Sequence, residues 1–423
     1  MSQGQAALQL ELAGVVGIDH LYAGGIQDAV DGIRPQWVVE PRSADEVAGV
    51  LRHAGSAGRS VVPRGGGTKL GWGNRPRSAD LVLSTRRLDR VLEHAWGDMT
   101  ATIEAGCTVA QVQEMLARHG QRLALDPLWP EHATIGGVLA TNDSGSLRIR
   151  FGAMRDLIIG ITIVLADGTV ARSGGKVVKN VAGYDLPKLL TASLGTLGVI
   201  TEASFRLHPL PRESRTLTFA MPAAAAANDL LRAISDSHLA PSGVQIRMAS
   251  DLPPHVDVRF EGIVASVLDE HSRQVRRFAG SAEEVTALAD IWRAPEALWY
   301  ATESSLVCKL SVLPAELTAF CEAVQHVAGA LHLSWSIVAQ SVGVGWLRLQ
   351  SSNEQALLAA FGVLRARVAE RHGSLVLAQA SPEVKGRVDV WGVGGDALSL
   401  MQRVKARFDP RGILNPGRYV GGI

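Results

Sequence analysis

Short apolar runs alternate with amphipathic segments through the first half of the chain. Runs typical of buried strands occur at residues 37–39, 60–62, 81–84 and 101–105. Between them, Ser43 is a suitable N-cap for a helix that reaches about residue 57, and Glu46 completes a capping box. Thr108 is a suitable N-cap for a second helix, which Gly120 ends. This alternation predicts an α/β arrangement.

A hairpin belongs to the first domain, and the pattern changes after it. Apolar runs at residues 161–165 and 169–171 flank Ala166-Asp167-Gly168, a strong hairpin signal. After the prolines of residues 208–211 the composition becomes alanine-rich, so we predict a domain boundary near residue 214. Beyond it, helices at 228–235 and 314–328 and strands at 345–349 and 375–377 predict an α+β domain without a short internal repeat. Residues 1–35 are weakly patterned, and we expect a loosely attached extension.

Bulk composition excludes several classes of protein. The chain has 423 residues, enough for two or three domains, and a net charge of +1, which gives no global field for nucleic acid. Its three cysteines, Cys107, Cys308 and Cys321, form no CxxC pair, so we expect no metal site and no iron–sulfur cluster. No leader or run of about 18 apolar residues occurs, and we expect a cytoplasmic protein.

The run Pro63-Arg64-Gly65-Gly66-Gly67-Thr68-Lys69 directly follows the apolar run at 60–62. Consecutive glycines can direct several backbone N–H groups to one concave face without an intervening Cβ, and Thr68 adds a hydroxyl donor. The run is therefore a candidate pyrophosphate-binding loop, although an ordinary glycine turn would read the same in isolation.

Two further stretches rich in glycine, asparagine and threonine follow at domain-scale spacing. They are residues 133–145, which contain Thr134-Ile135-Gly136-Gly137 and Thr141-Asn142, and residues 193–201, which contain Gly195-Thr196-Leu197-Gly198-Val199-Ile200. Together the three stretches resemble the FAD-binding domain of the vanillyl-alcohol-oxidase or PCMH superfamily. The resemblance implies an α+β fold, in which a two-part FAD-binding domain (36–214) precedes a smaller α/β, ferredoxin-like FAD-linked-oxidase C-terminal domain (215–423).

The same resemblance implies the residues that bind FAD. The glycine run would hold the pyrophosphate, and the other stretches would contact the pyrophosphate, the ribityl chain and the flavin edge. Because Gly67 is followed by Thr68 and not by a histidine, the FAD is expected to be non-covalent. The implied cofactor-binding residues are Pro63, Arg64, Gly65, Gly66, Gly67, Thr68, Pro130, Thr134, Gly136, Gly137, Thr141, Asn142, Asp143, Ser144, Gly145, Gly152, Gly198, Val199 and Ile200.

Two other stretches resemble nucleotide-binding motifs but lack required parts of them. Residues 387–397 have the form of a strand, GxGxxA and a helix, but a dinucleotide fold needs a second strand with an acidic residue about 20 positions on, and the chain ends at Ile423. Gly175-Lys176 is followed by Val177, so the phosphate loop of nucleoside-triphosphate hydrolases is absent.

Two further segments indicate which members of this superfamily the chain resembles most. The tail at residues 408–418 resembles the C-terminal signature of FAD-linked oxidases, which implies that residues 408–423 return to the FAD domain. Residues 174–186 closely resemble the E subunits of glycolate oxidase, and there Lys176, Lys179, Asn180, Tyr184 and Asp185 could line the flavin or substrate side. Surface or interdomain ion pairs are an equally good account of Lys179 and Asp185.

The catalytic residues stay unknown at this point. Oxidation of a 2-hydroxy acid needs a base for the hydroxyl proton and a cation for the carboxylate. Related catalytic subunits carry a histidine-rich stretch in the second domain, whereas residues 339–347 here contain no histidine. His372 is a candidate base or a solvated turn residue, and Arg148 and Arg150 are candidate carboxylate ligands or surface residues.

The resemblance implies an FAD-binding subunit of a heteromeric glycolate oxidase. Its partners would be a catalytic flavoprotein subunit and an iron–sulfur subunit, through which it could associate peripherally with the membrane, and its substrate would be glycolate, oxidised to glyoxylate. The alternatives are a self-sufficient FAD-dependent 2-hydroxy-acid dehydrogenase, a non-catalytic assembly subunit, and a flavin reductase that takes hydride from a nicotinamide.

Overall fold

The computed structural model describes residues 3–175, 184–300 and 304–423. The chain divides into two compact units. Unit 1 comprises Met1–Asp143, Ala153–Leu210 and Pro382–Ile423, and unit 2 comprises Ser144–Gly152 and Pro211–Ser381. Unit 1 thus contains both ends of the described chain.

The elements of the described residues are as follows. The α-helices are α1 (Gln3–Val16), α2 (Ala44–Ser56), α3 (Val109–Ala117), α4 (Ile135–Thr141), α5 (Arg148–Phe151), α6 (Met154–Leu157), α7 (Leu186–Leu190), α8 (Ala224–Ser235), α9 (Ala265–Ala279), α10 (Leu317–Ala330), α11 (Glu354–Glu370), α12 (Pro382–Lys385) and α13 (Leu398–Phe408). The strands are β1 (Leu21–Ala23), β2 (Trp37–Val39), β3 (Val61–Arg64), β4 (Leu81–Ser84), β5 (Val91–Ala95), β6 (Thr100–Glu104), β7 (Gln121–Arg122), β8 (Ile158–Val164), β9 (Val170–Gly174), β10 (Val199–Arg206), β11 (His208–Pro209), β12 (Glu213–Ala220), β13 (Gly243–Ala249), β14 (Leu252–Gly262), β15 (Glu283–Val285), β16 (Ser305–Ser311), β17 (Ser334–Gln340), β18 (Val344–Gln350) and β19 (Ser374–Gln379).

Unit 1 is built on two main sheets. The first has the order β1-β2-β4-β3, in which β2, β4 and β3 run parallel, and the second is antiparallel with the order β5-β6-β10-β8-β9. Helix α2 begins after Ser43, whose hydroxyl accepts from the N–H of Glu46, as predicted. Glu46 does not complete the predicted capping box, because its carboxylate accepts instead from Arg42.

Residues 3–35 are not a loosely attached extension, which corrects the sequence prediction. Leu8, Leu12 and Val16 of α1 are buried in the same core as Leu51 of α2 and Val61 of β3. Helix α1 also has an apolar residue on its exposed face, Leu10, so its sequence lacks the one-sided apolar pattern that predicts a packed helix.

Unit 2 consists of two ferredoxin-like halves, which confirms the predicted fold class. Each half runs strand, helix, strand, strand, helix, strand: β12-α8-β13-β14-α9-β15 and then β16-α10-β17-β18-α11-β19. The order β15-β12-β14-β13-β17-β18-β16-β19 makes one antiparallel sheet, in which the second strands of the two halves pair at the centre.

The C-terminal segment of the chain belongs to unit 1. Leu414 bridges Val61 in parallel, with N–H to carbonyl distances of 2.8 Å from Val61 to Ile413 and 3.0 Å from Asn415 to Val61. The segment assigned to unit 1 begins at Pro382, whereas the sequence placed only residues 408–423 there, and the earlier division falls between Leu210 and Pro211. The tail thereby extends the parallel sheet beside β3.

A buried ion pair fastens this tail. The Lys405 ammonium donates to Asp409 (2.7 Å) and to the carbonyls of Thr196 and Leu414 (both 2.8 Å). The Asp409 carboxylate also accepts from the N–H groups of Ile413 and Leu414. Desolvation lowers the pKa of Lys405, and the neighbouring Asp409 partly offsets this effect.

We predict that Lys405→Met destabilises unit 1, because the substitution leaves the buried Asp409 charge without its cation. The expected loss is about 3–5 kcal/mol of unfolding free energy. Urea unfolding followed by tryptophan fluorescence measures it. Arg403→Met on the exposed side of α13 is the matched control, expected to change stability by less than about 0.5 kcal/mol. Equal stability of the two variants would contradict the anchoring role of Lys405.

Candidate functional site

The glycine run lies at the carboxyl end of β3 and forms one wall of a small cleft in unit 1. The cleft measures about 70 Å³. Its other walls come from α4, from the turn that contains Leu194 and from the C-terminal tail. It is lined by Pro63, Arg64, Gly65, Gly66, Gly67, Thr68, Lys69, Leu70, Thr134, Gly137, Ala140, Thr141, Leu194, Asn415 and Arg418.

Two glycines of the run are required by close packing. A Cβ on Gly65 would lie 2.0 Å from the Thr134 hydroxyl, and one on Gly66 would lie 1.8 Å from the carbonyl oxygen of His132. Gly67 has φ +78°, which disfavours any side chain. The run can therefore adopt this path against residues 132–134 only without side chains.

The backbone of this run offers free donors. Among the residues that the structure describes, no acceptor is found for the N–H groups of Gly65, Gly66, Gly67 and Thr68. Successive backbone N–H groups that line a concavity form an anion-binding nest. The arrangement fits a pyrophosphate, which offers several negatively charged acceptor oxygens.

Helix α4 contributes the second wall. Thr134 is its N-cap and accepts from the N–H of Gly137, and the N–H groups of Ile135 and Gly136 donate to the carbonyls of Cys107 and Ala105. A Cβ on Gly136 would lie 2.8 Å from that of Ala105. Gly136 thus serves the packing of α4, while Thr134, Gly137 and Thr141 line the cleft.

The tail contributes Asn415 and Arg418, which the sequence analysis did not include among the site residues. The Asn415 amide donates to the carbonyl of Leu194, and both residues have positive φ, 45° and 51°. Non-glycine residues in this conformation are uncommon and concentrate at functional sites. The tail motif predicted a return to the FAD domain, but nothing in its spacing indicated which side chains face the cleft.

Behind the cleft, Lys69 is buried and tied to the segment that follows α4. Its ammonium lies 3.1 Å from the Asp143 carboxylate, donates to the carbonyl of Leu128 and lies 5.4 Å from the ring centroid of Trp129. Asp143 also accepts from the N–H of Leu128. Asp143, predicted to bind the cofactor, is therefore engaged inside unit 1 and holds Lys69.

Other predicted residues lie outside this cleft. The carbonyl of Pro130 accepts from the N–H of Ala110 in α3, and Asn142 ends α4 at φ 46°. Gly198 adjoins β10, where the Val199 and Ile200 side chains enter two different apolar cores. Three further predicted residues, Ser144, Gly145 and Gly152, belong to unit 2.

The segment most similar to glycolate oxidase E subunits is described only in part. Lys176, Lys179 and Asn180 lie outside the described residues. Tyr184 is 89% exposed. Asp185 caps α7, and its pKa is lowered chiefly by a hydrogen bond from Lys188.

Two of the candidate catalytic side chains of unit 2 either bond to the backbone or are exposed to solvent. Arg150 donates to the carbonyls of Ala240 and Glu261, and Arg148 lies in the same short helix, α5. His372 is exposed in the turn after α11, at φ 58°. This position agrees with the alternative that His372 is a solvated turn residue. Residues 339–347 comprise the end of β17, the turn at 341–343 and the start of β18. None of these observations identifies a base.

Unit 2 also contains a buried polar network that the sequence did not reveal. Asp257 is fully buried and accepts from Thr218, Gln245 and Arg247 at distances of 2.7–3.1 Å. These side chains come from three adjacent strands and share one face of the sheet. Because its hydrogen bonds are made internally, the network is best explained as a stabilising element of the sheet.

The cysteines are not poised for chemistry. Cys107, Cys308 and Cys321 are buried, and desolvation raises the pKa of each thiol to about 12. Within the described ranges, no group of three or more metal-ligating side chains occurs. No helix there combines the length and apolarity that crossing a membrane requires.

Comparisons with known proteins agree with the geometry of the cleft. Residues 35–174 match the family model described as "FAD binding domain", and residues 391–419 match "FAD linked oxidases, C-terminal domain". The first match contains the glycine run and α4, and the second contains Asn415 and Arg418. Two separately defined family segments thus line the same cleft, and the matches show that FAD is the cofactor of this chain.

Individual relatives cover most of the chain. Glycolate oxidase subunit GlcD of Bacillus subtilis is 27% identical over 91% of this chain and 88% of its own. The mitochondrial D-lactate dehydrogenase [cytochrome] of Arabidopsis thaliana is 28% identical over 91% and 73%. The structure of p-cresol methylhydroxylase with substrate bound superposes with a TM-score of 0.78 at 16% identity, covering 99% of this chain and 97% of that one, which shows a shared fold.

We predict that Gly66→Ala removes FAD, because the added Cβ meets the backbone carbonyl of His132 and displaces the free N–H groups. Releasing the flavin by denaturation and quantifying it per chain should show at least an approximately tenfold loss, as expected for one or two lost hydrogen bonds to a charged group.

Gly97→Ala is the matched control, since its Cβ would meet nothing within 4 Å. Full retention of FAD by Gly66→Ala would show that the run does not hold the cofactor.

Proposed function

Because the chain belongs to the FAD-linked oxidases with an FAD-binding domain of the vanillyl-alcohol-oxidase and PCMH type, we propose that it binds one FAD non-covalently and oxidises a small 2-hydroxy acid. The observation that carries the proposal is the cleft in unit 1. Its free N–H groups, its Thr134 wall and its tail residues converge on one anion-sized space.

The substrate class comes from the named relatives. One acts as a glycolate oxidase subunit and another as a D-lactate dehydrogenase, and both names describe oxidation of a 2-hydroxy acid. We propose glycolate as the substrate, since residues 174–186 resemble the E subunits of glycolate oxidase.

The chemistry divides between the cofactor and the protein. When bound, FAD supplies the acceptor for the Cα hydride. The residues that line the cleft would bind and orient it. The Gly65–Thr68 amides would hold the pyrophosphate beside the wall formed by Thr134 and Gly137, and the C-terminal tail lines the remaining side. The base for the hydroxyl proton is not assigned.

We further propose that the chain works as the E-type subunit of a heteromeric glycolate oxidase, with a catalytic flavoprotein subunit and an iron–sulfur subunit. Two features support this. The hairpin between β17 and β18 lacks the histidines of related catalytic subunits, and the three cysteines of the sequence are fewer than the four that an all-cysteine cluster needs. One-electron transfer through such a cluster therefore requires another chain.

A second candidate is a self-sufficient 2-hydroxy-acid dehydrogenase. It is favoured by the extent of the relatives' alignments, which include 91% of this chain and so both of its units. In this case a base remains to be found among residues other than the expected histidines.

We predict that glycolate reduces the FAD of this chain only when the partner subunits are present. The chain is purified alone and in the complex that co-purifies from its native host, and glycolate is added anaerobically while the visible flavin absorbance is recorded. Bleaching confined to the complex is the expected result, because the described part of the chain offers no recognisable base.

Gly66→Ala separates the alternatives, with Gly97→Ala as its control. Bleaching of the isolated wild-type chain would establish the self-sufficient dehydrogenase. A complex that assembles and turns over equally well with Gly66→Ala, despite losing this FAD, would establish a non-catalytic assembly subunit.

A further inference from the structure

Unit 1 contains several buried or half-buried cations in the glycine run and the C-terminal segment, and four of them have a carboxylate partner. In each pair a Lys or Arg nitrogen lies within 3.1 Å of a buried aspartate: Arg64–Asp28 (2.7 Å), Lys69–Asp143 (3.1 Å), Lys385–Asp31 (3.1 Å) and Lys405–Asp409 (2.7 Å). A buried charge is costly unless an opposite charge compensates it. These four pairs satisfy that requirement.

Arg418 does not. It is 3% exposed, and its guanidinium donates to the carbonyl oxygens of Leu70 and Trp72 and to the side-chain oxygen of Asn415. All three partners are neutral. Among the described residues no carboxylate pairs with Arg418, and its Nε has no hydrogen-bond partner. Burial lowers the pKa of Arg418, and the nearby Asp31 carboxylate offsets only part of this effect. Because Asp31 is ion-paired with Lys385, two buried cations share one carboxylate, and one positive charge has no anion of its own.

The position of Arg418 indicates where the missing anion binds. Arg418 lines the same cleft as the glycine run, whose N–H groups of Gly65–Thr68 are also without acceptors in the described structure. Two independent sets of unsatisfied donors, one from the backbone and one from a side chain, thus share one small space. Both sets would be satisfied by one multiply charged oxyanion.

We infer that the Arg418 guanidinium binds the pyrophosphate of FAD and supplies its counter-charge. This inference rests on the proposed FAD binding and extends it to a residue of the C-terminal tail. The cofactor would then be held by backbone amides after β3 and by a charged side chain of the C-terminal tail, two segments about 350 residues apart in the sequence.

A purely structural role for Arg418 makes different predictions. In that case Arg418 only tethers the tail to residues 70–72, much as Lys385 contacts the carbonyls of Gly71 and Gly73. Lys385 is paired with Asp31, so the double substitution Asp31→Asn with Lys385→Met removes a buried cation from the same loop together with its counter-charge. This double variant is the matched control.

The test combines the affinity for FAD with the ³¹P spectrum of the bound cofactor. Apo-protein is titrated with FAD, and binding is followed by quenching of the flavin fluorescence. Arg418→Gln, which keeps hydrogen bonding but loses the charge, should weaken FAD binding about 10- to 100-fold, the range for a hydrogen bond between charged groups. Arg418→Lys should recover most of the affinity.

In Arg418→Lys, which still binds FAD, the ³¹P resonances of the pyrophosphate should shift relative to wild type, whereas the double control should leave them in place. Unchanged FAD affinity in Arg418→Gln, or unchanged ³¹P resonances in Arg418→Lys, would overturn the inference. If Arg418→Gln does not fold, the resonances of Arg418→Lys decide it alone. Failure of the wild-type protein to bind FAD would instead overturn the proposed function.

Discussion

The pairing of the C-terminal tail with β3 is the constraint on which the cleft depends. Val61 begins β3, the strand that leads into the glycine run, and its backbone groups bond to Ile413 and Asn415. This bridge brings the C-terminal tail beside β3 and the glycine run. Arg418 therefore donates to the carbonyls of residues 70 and 72, and Asn415 donates to the carbonyl of Leu194. Since Lys405 and Asp409 are buried beneath it, the tail cannot detach without exposing or isolating a charge.

Given that bridge, the glycine run has one way to pass residues 132–134. Gly65 and Gly66 face the Thr134 hydroxyl and the His132 carbonyl at distances that exclude any Cβ. Glycines lose more conformational entropy on folding than other residues. The buried pairing of Lys69 with Asp143 fixes the end of the run. The result is a row of backbone donors held open by packing on both sides, which is the preorganisation that binding of a dianionic group requires.

Many local elements of the fold and of the cleft could be predicted from the sequence. The strand at 60–62, the hairpin around Gly168, the helix caps at Ser43 and Thr108 and the three glycine-rich stretches are local signals, and local signals survive without knowledge of the fold. The resemblance implied a ferredoxin-like domain, but the division of unit 2 into two such halves was not predicted, because strand pairing between distant segments leaves no short-period signature. The roles of Asn415 and Arg418 were hidden for the same reason, since they depend on a contact with residues more than 200 positions away. Gly198–Ile200 shows the opposite case: a strong motif whose side chains serve the cores.

Hydrogen exchange with and without FAD tests the central claim most directly. The account holds that the amides after β3 and the tail around Arg418 bind one cofactor together. Mass spectrometry of peptides spanning residues 63–70 and 413–419 should therefore show slower exchange in both when FAD binds, with peptides of unit 2 around β16 and β19 unaffected as an internal reference. Bound FAD that protects only one of the two segments, or neither, would contradict a cofactor site built jointly by the glycine run and the tail.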